Sequence, residues 1–122
     1  MNLKECYLTA GADYEDVMRR LMSEERVDRF LNMFLRDRSF EQLCLAMETQ
    51  QYEEAFRAVH TIKGICMNLS LTALLDACMA LTENLRPGKP DGQTGPLFEQ
   101  TKNEYARTVS AIQSHFGGMP GT

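Results

Sequence analysis

His60, Lys63 and Gly64 are the residues of this chain whose types and spacing could do chemistry; they lie in the run His60-Thr61-Ile62-Lys63-Gly64. Residues three and four apart on a helix share a face. The imidazole therefore has an ammonium group and a stretch of bare backbone as its neighbours. That arrangement suits a histidine that is approached closely and carries an anion. A lysine one turn away can offset the anion's charge and hydrogen-bond its oxygens. A neutral imidazole is a competent nucleophile at pH 7 without a buried base. A metal site needs further ligands at matching spacing, and the one other histidine, His115, is far away in sequence. The question the spacing poses is whether the rest of the chain supports an exposed, phosphate-bearing His60.

The element that must position these residues is a helix starting at Tyr52. Its apolar residues Tyr52, Ala55, Val59, Ile62, Cys66 and Leu69 are spaced as a heptad-like seam that faces a bundle core. At about 100° per residue, the seam centres about 130° away from His60, which turns the imidazole outward. Its companions on that face are Glu53, Phe56, Arg57, Lys63, Gly64 and Met67. Glycine inside a helix costs about 1 kcal/mol relative to alanine. Gly64 projects beside His60 and away from the seam, so partner access is preferred to close packing as its reason. Arg57 is expected to pair with Glu53 or Glu54, with assistance to the site as the other role. Phe56 and Met67 are half-buried core residues or the apolar rim of a docking surface. Phe56, Arg57 and Met67 are thus the candidate partner-docking residues.

The remainder reads as helix, because strand alternation is absent and good helix formers dominate. Asp13 is an N-cap type before Val17, Met18 and Leu21. Ser23 opens a helix carrying Val27, Phe30, Leu31, Phe34 and Leu35. Ser39 with Gln42 forms a capping-box pattern before a short helix with Phe40, Leu43, Cys44 and Met47. Thr49-Gln50-Gln51 is a turn. Ser70 is expected to cap a helix carrying Leu71, Leu74, Leu75, Cys78, Leu81 and Leu85, stopped by Pro87. Residues 87–96, rich in glycine and proline, form a loop. A last helix runs from about Leu97 to His115, with Thr101, Tyr105, Thr108 and Ile112 on its inner side; His115 suits the dipole of its last turn. The fold class is all-α: an antiparallel four-helix bundle with additional short N-terminal or capping helices. The four long helices make the bundle, and the short ones at Asp13 and Ser39 cap its end. One domain spans residues 1–116, and 117–122 are a flexible tail.

Composition narrows the function classes. At 122 residues the chain can bury a core without disulfides or metals. A net charge of −4 argues against nucleic-acid binding. No apolar run is long enough to cross a bilayer, and the N-terminus lacks the apolar core of a signal peptide, so the protein is expected in the cytoplasm. Cys6, Cys44, Cys66 and Cys78 form no C-x-x-C pair and are expected to be reduced packing residues.

These residues resemble the histidine-containing phosphotransfer (HPt) domains of multistep two-component phosphorelays. The family signature, His-x-x-Lys-Gly with a leucine some nine positions beyond the histidine, reads here as His60, Lys63, Gly64 and Leu69. Similarity extends over Gly11 to Tyr14, Arg20-Leu21, Phe30-Leu31, Phe34-Leu35, Ala46-Met47, Tyr52 to Ala55, and Leu74, Cys78, Leu81 and Glu83. Two positions depart from the pattern. Ser70 stands where many members have glycine, so Asn68 is expected to make the left-handed turn. Gln50-Gln51 replaces the usual Asn or Asp. The resemblance implies a phosphocarrier without an ATP site or autokinase activity. Phosphate would pass between His60 and aspartates of response-regulator receiver domains, which supply the Mg²⁺ so that this chain needs no cofactor. A hybrid sensor histidine kinase is a further partner. The protein is expected to act as a monomer. The alternative is a docking module of the same fold that regulates a kinase or receiver without phosphotransfer.

Overall fold

The computed structural model describes residues 1–117. The tail expected at 117–122 lies outside the described residues from 118 onward. Among the described residues the chain is all-α, with α1 (Leu3–Ala10), α2 (Tyr14–Leu21), α3 (Glu24–Arg36), α4 (Ser39–Glu48), α5 (Tyr52–Leu69), α6 (Thr72–Leu85) and α7 (Thr94–His115). α5 packs most closely against α6 and α4, and α6 against α7. Phe40 of α4 stacks on Tyr105 of α7 with ring centroids 3.8 Å apart, which closes the four-helix ring.

α4 is therefore a wall of the bundle and not a cap on its end, contrary to the expectation from its length. It lies along the first half of α5, with Leu45 and Ala46 opposite Ala58 and Thr61. α3 continues the same corner: Phe30 and Phe34 face Ile65 and Leu69 at the far end of α5, and Phe34 reaches Tyr105. One corner of the bundle is thus built from two helices in succession. The break falls at 37–38, where the Asp37 carboxylate accepts from the Ser39 backbone N–H at 2.8 Å. Asp37 serves the helix start in place of a Ser39–Gln42 capping box, because α4 begins at Ser39 itself.

α1 was not anticipated ahead of Asp13. Its Leu3, Cys6, Tyr7 and Ala10 are buried, and it packs along α7. Arg107 of α7 donates to the Thr9 carbonyl at 2.8 Å. Gly11 ends α1 in the left-handed region at φ 68°, and its carbonyl accepts from the Ala73 N–H at 3.0 Å. A Cβ there would lie 3.1 Å from Ala73 Cβ and the Arg107 guanidinium, so the position demands glycine.

Asp13 and Ser23 cap α2 and α3 as read, accepting from the N–H groups of Asp16 and Arg26. Other boundaries move. Ser70 does not cap α6; it is the left-handed residue that ends α5, at φ 54°. Asn68 stays helical. A non-glycine residue in that region is strained, and Ser70 is held by partners on α2. Its hydroxyl donates to Asp16 at 2.6 Å, and its carbonyl accepts from the Asp13 N–H at 2.9 Å. α7 starts at Thr94, so Gly95 and Pro96 lie in its first turn and not in the loop. A proline is tolerated there because first-turn N–H groups have no intrahelical acceptor.

The inner face of α7 carries buried Thr101 and Thr108, whose hydroxyls donate to the Leu97 and Glu104 carbonyls at 3.0 and 2.8 Å. Their polarity is met within the helix, so they pack as small apolar residues. Cys6, Cys66 and Cys78 are buried and Cys44 partly so, all as free thiols. A hydrogen bond with Cys78, together with burial, pushes the Cys66 thiol up, and burial pushes Cys6 up to about 11. Both stay protonated, in keeping with a packing role.

The α2–α5 junction gives a pH prediction. The Ser70 hydroxyl, then Arg20 and Arg19, hold the Asp16 carboxyl down at about 2. A depressed folded-state value stabilises the fold above the unfolded value, about 3.9. That contribution is lost as pH falls through the window from about 4 to about 2. Thermal melts of Asp16→Asn across this window should show a flatter decline than wild type. Parallel declines in the two proteins would refute the linkage.

Candidate functional site

α5 forms because its inward residues have the expected period. Ala55, Val59, Ile62, Cys66 and Leu69 are buried, together with Ala58, whereas Tyr52 is only partly so. Its start lacks a side-chain cap at Gln51, as the Gln50-Gln51 departure implies, and Gln50 takes a left-handed φ of 58°. Its end is held from outside. The Tyr7 hydroxyl donates to the Leu69 carbonyl at 2.8 Å, and Ser70 is tied to α2 as described. The rotational phase of α5 is thereby fixed from its far end.

His60 is exposed on this helix, as the helical phase predicts. The Phe56 ring lies 5.9 Å from the imidazole at an interplanar angle of 41°. Lys63 is partly exposed one turn on. Gly64 is exposed, and a Cβ added there would meet nothing within 4 Å. Close packing against a neighbouring helix is therefore not the reason for the glycine. Met67 is 49% exposed. Phe56 is half-buried against the core, with its outer edge beside His60.

Arg57 forms an ion pair with Glu54 on its own helix. That is the pairing expected of it. Its guanidinium also borders a cleft of about 520 Å³ between α4 and α5. A second cleft of about 640 Å³ lies between α3 and the end of α5. His60 lines neither. The imidazole stands on an open face, so a reacting group reaches it from solution or on a docked partner. Neither cleft encloses it.

Sequence reasoning did not place two residues at the edge of this face, Glu83 of α6 and Arg86, which caps the end of that helix. The Arg86 guanidinium sits 5.3 Å from the centroid of the Phe56 ring. Its hydrogen bonds to Glu83 hold that carboxyl below its ordinary range, with a smaller contribution from the Lys63 ammonium. No sequence signal ties them to His60, because helix pairing decides which residues of α6 border α5.

His115 was assigned to the dipole of the last turn. It does lie in the last turn of α7, and the structure also pairs it with Asp28 of α3, at 2.7 Å. It lies at the end of α7, next to the start of α3, and takes no part in the His60 face. Among the described residues, no three His, Cys, Asp or Glu side chains gather as a group that could hold a metal. Among them, too, no helix is long and apolar enough to cross a membrane.

An exposed histidine with a lysine on its flank and an open glycine above it, on one helix of a four-helix bundle, can accept and release a small anionic group. Positioning and charge neutralisation dominate phosphoryl transfer. No curated protein and no solved structure matches the chain at a significant level. The Hpt domain family does match, over residues 15–113. That span covers most of the 122 residues and takes in α3 to α6 whole, with nearly all of α2 and α7. The chain therefore belongs to the Hpt domain family, the histidine phosphotransfer domains of phosphorelays, and is a phosphotransfer intermediate and not a kinase.

Proposed function

We propose that His60 carries the phosphoryl group, that Lys63 balances its charge and that Gly64 leaves the approach open. The observation that carries this reading is the open space over Gly64 beside the exposed imidazole. Members of the family exchange phosphate with receiver domains and kinases. For this chain the exchange runs between His60 and the aspartate of a response-regulator receiver, with a hybrid sensor kinase as a further partner. The partner brings the Mg²⁺, and this chain contributes no cofactor. Phe56 and Met67 form the apolar part of the docking face, and Arg57 its charged edge. The protein works as a monomer in the cytoplasm.

In the transfer step, an imidazole nitrogen lone pair attacks the phosphorus in line with the aspartyl oxygen. The P–O bond breaks as the P–N bond forms, and the electron pair returns to the carboxylate. The reverse step restores neutral imidazole. Lys63 lies within a turn of the transferred charge on either path.

The test is a receiver charged with labelled phosphate. Label should pass to this protein as an acid-labile adduct. Stable binding of the receiver with no transfer would instead favour a docking module. Lys63→Ala should slow transfer about tenfold, the loss of one charge-assisted contact worth about 1.4 kcal/mol. Rapid-quench rates equal to wild type would remove Lys63 from the mechanism.

A further inference from the structure

Phosphotransfer by His60 leaves Glu83 and Arg86 without a role, yet they build the α6 side of its face. Arg86 Nη2 donates to Glu83 Oε1 at 2.7 Å, and Nε donates to Oε2 at 3.3 Å. The same guanidinium lies over Phe56, and Phe56 lies against the imidazole. Arg107, paired with Glu104 at the same spacing, also reaches a second helix, but the reach of Arg86 ends on the ring beside His60. Arg86 reaches across from α6 onto the side chain that touches the reactive residue. The Glu83 carboxylate, for its part, stands in the field of both Arg86 and Lys63. The Arg86–Glu83 pair thus stands one aromatic ring away from the imidazole.

The geometry points to Glu83 and Arg86 as an internal counter-ion pair for the phosphoryl site. Glu83 neutralises the cations while His60 is bare, and a phosphoryl group on His60 takes them over. The inference rests on His60 being the phosphorylated residue. A phosphoryl group carries about −1.5 to −2 charges against one on a carboxylate, so it outcompetes Glu83 for a shared cation. The side chains of Arg86 and Glu83 are 54% and 67% exposed, free to re-partner within nanoseconds. Arg86 is then a positioning residue that favours the phosphorylated state. Glu83 is its competitor and keeps that state from becoming a sink. A carrier that must both accept and donate needs such a balance, since an unopposed pair of cations would hold the phosphoryl group too well.

Two substitutions separate this role from a structural one. Glu83→Gln and Arg86→Gln break the same ion pair, so a structural pair shifts both variants in the same direction. The counter-ion role shifts them in opposite directions. One readout is the distribution of label at equilibrium between a charged receiver and this protein. The other is the initial rate of His60 labelling by phosphoramidate, a small anionic donor that needs no partner protein. Glu83→Gln should move the distribution about threefold towards phosphorylated His60 and speed labelling. Arg86→Gln should do the reverse by a similar factor, as expected for single exposed charges several ångströms away. Both effects should collapse in 1 M salt. Changes of the same sign, or none, in the labelling rates would overturn the proposal. Because that arm involves no receiver, failure of wild type to exchange with receivers would count against the assigned partners alone. Failure of phosphoramidate to label His60 at all would overturn both.

Discussion

His60→Gln is expected to reduce phosphoryl acceptance to background while leaving the bundle as stable as before. Glutamine has a similar reach, but its amide nitrogen has no free lone pair, so nothing remains to attack phosphorus. The substitution costs no packing, because His60 is exposed and its one ring neighbour, Phe56, is held by the core. Surface changes of this kind stay within about 0.5 kcal/mol. The check pairs label transfer with a thermal melt. Label on the variant at the wild-type level would place the phosphorylated residue elsewhere, and His115 is a poor candidate because it is mostly buried against Asp28.

Gly64 should show the opposite coupling, with stability rising as function falls. Its helical site has nothing within 4 Å of a Cβ. Gly64→Ala therefore gains helix propensity at no steric cost, up to about 1 kcal/mol. For a domain of this size that raises Tm by a few degrees. Side chains on a helix lean towards its N-terminus and cover the turn before their own Cα. A side chain at position 64 would consequently lie over the turn that holds His60. Gly64→Leu should cut transfer from a receiver about a hundredfold, since small displacements of reacting groups cost that much. Labelling by phosphoramidate should suffer far less, because a small donor can pass a leucine that a protein cannot. A Gly64→Ala variant that melts below wild type, or a Gly64→Leu variant that transfers normally, would contradict the access role.

The orientation of His60 was legible because it depends only on the period of one helix. Ala55, Val59, Ile62, Cys66 and Leu69 fix that phase within eighteen residues, and no distant contact is needed to read it. Where the reading failed, the deciding partner was distant. Tyr7 meets Leu69 across 62 positions, and Ser70 meets Asp16 across 54. These contacts make α1 a structural element and let a serine end α5 in a left-handed turn without glycine. The role of α4 was missed for a related reason. Length suggests an end cap, but Phe40 finds Tyr105 and so places the helix in the wall. Glu83 and Arg86 belong to the same class, since which residue of α6 borders Phe56 follows from how two helices pair. Local signals did set caps at Asp13 and Ser23, where the side chain serves its own first turn.

The fastening of α5 at Tyr7 and Ser70 bears on how this carrier meets several partners in turn. A helix pinned at its far end by two neighbouring helices cannot roll, so the angle at which His60 is presented is settled when the chain folds. The ordering entropy of that face is spent during folding and is not charged again at each encounter. A donor and an acceptor therefore meet the same rigid target. Preference between them must come from their own surfaces and from the charge on His60. Loosening the far end, by Tyr7→Phe for instance, would tax every partner alike, which distinguishes a loss of presentation from a loss of recognition.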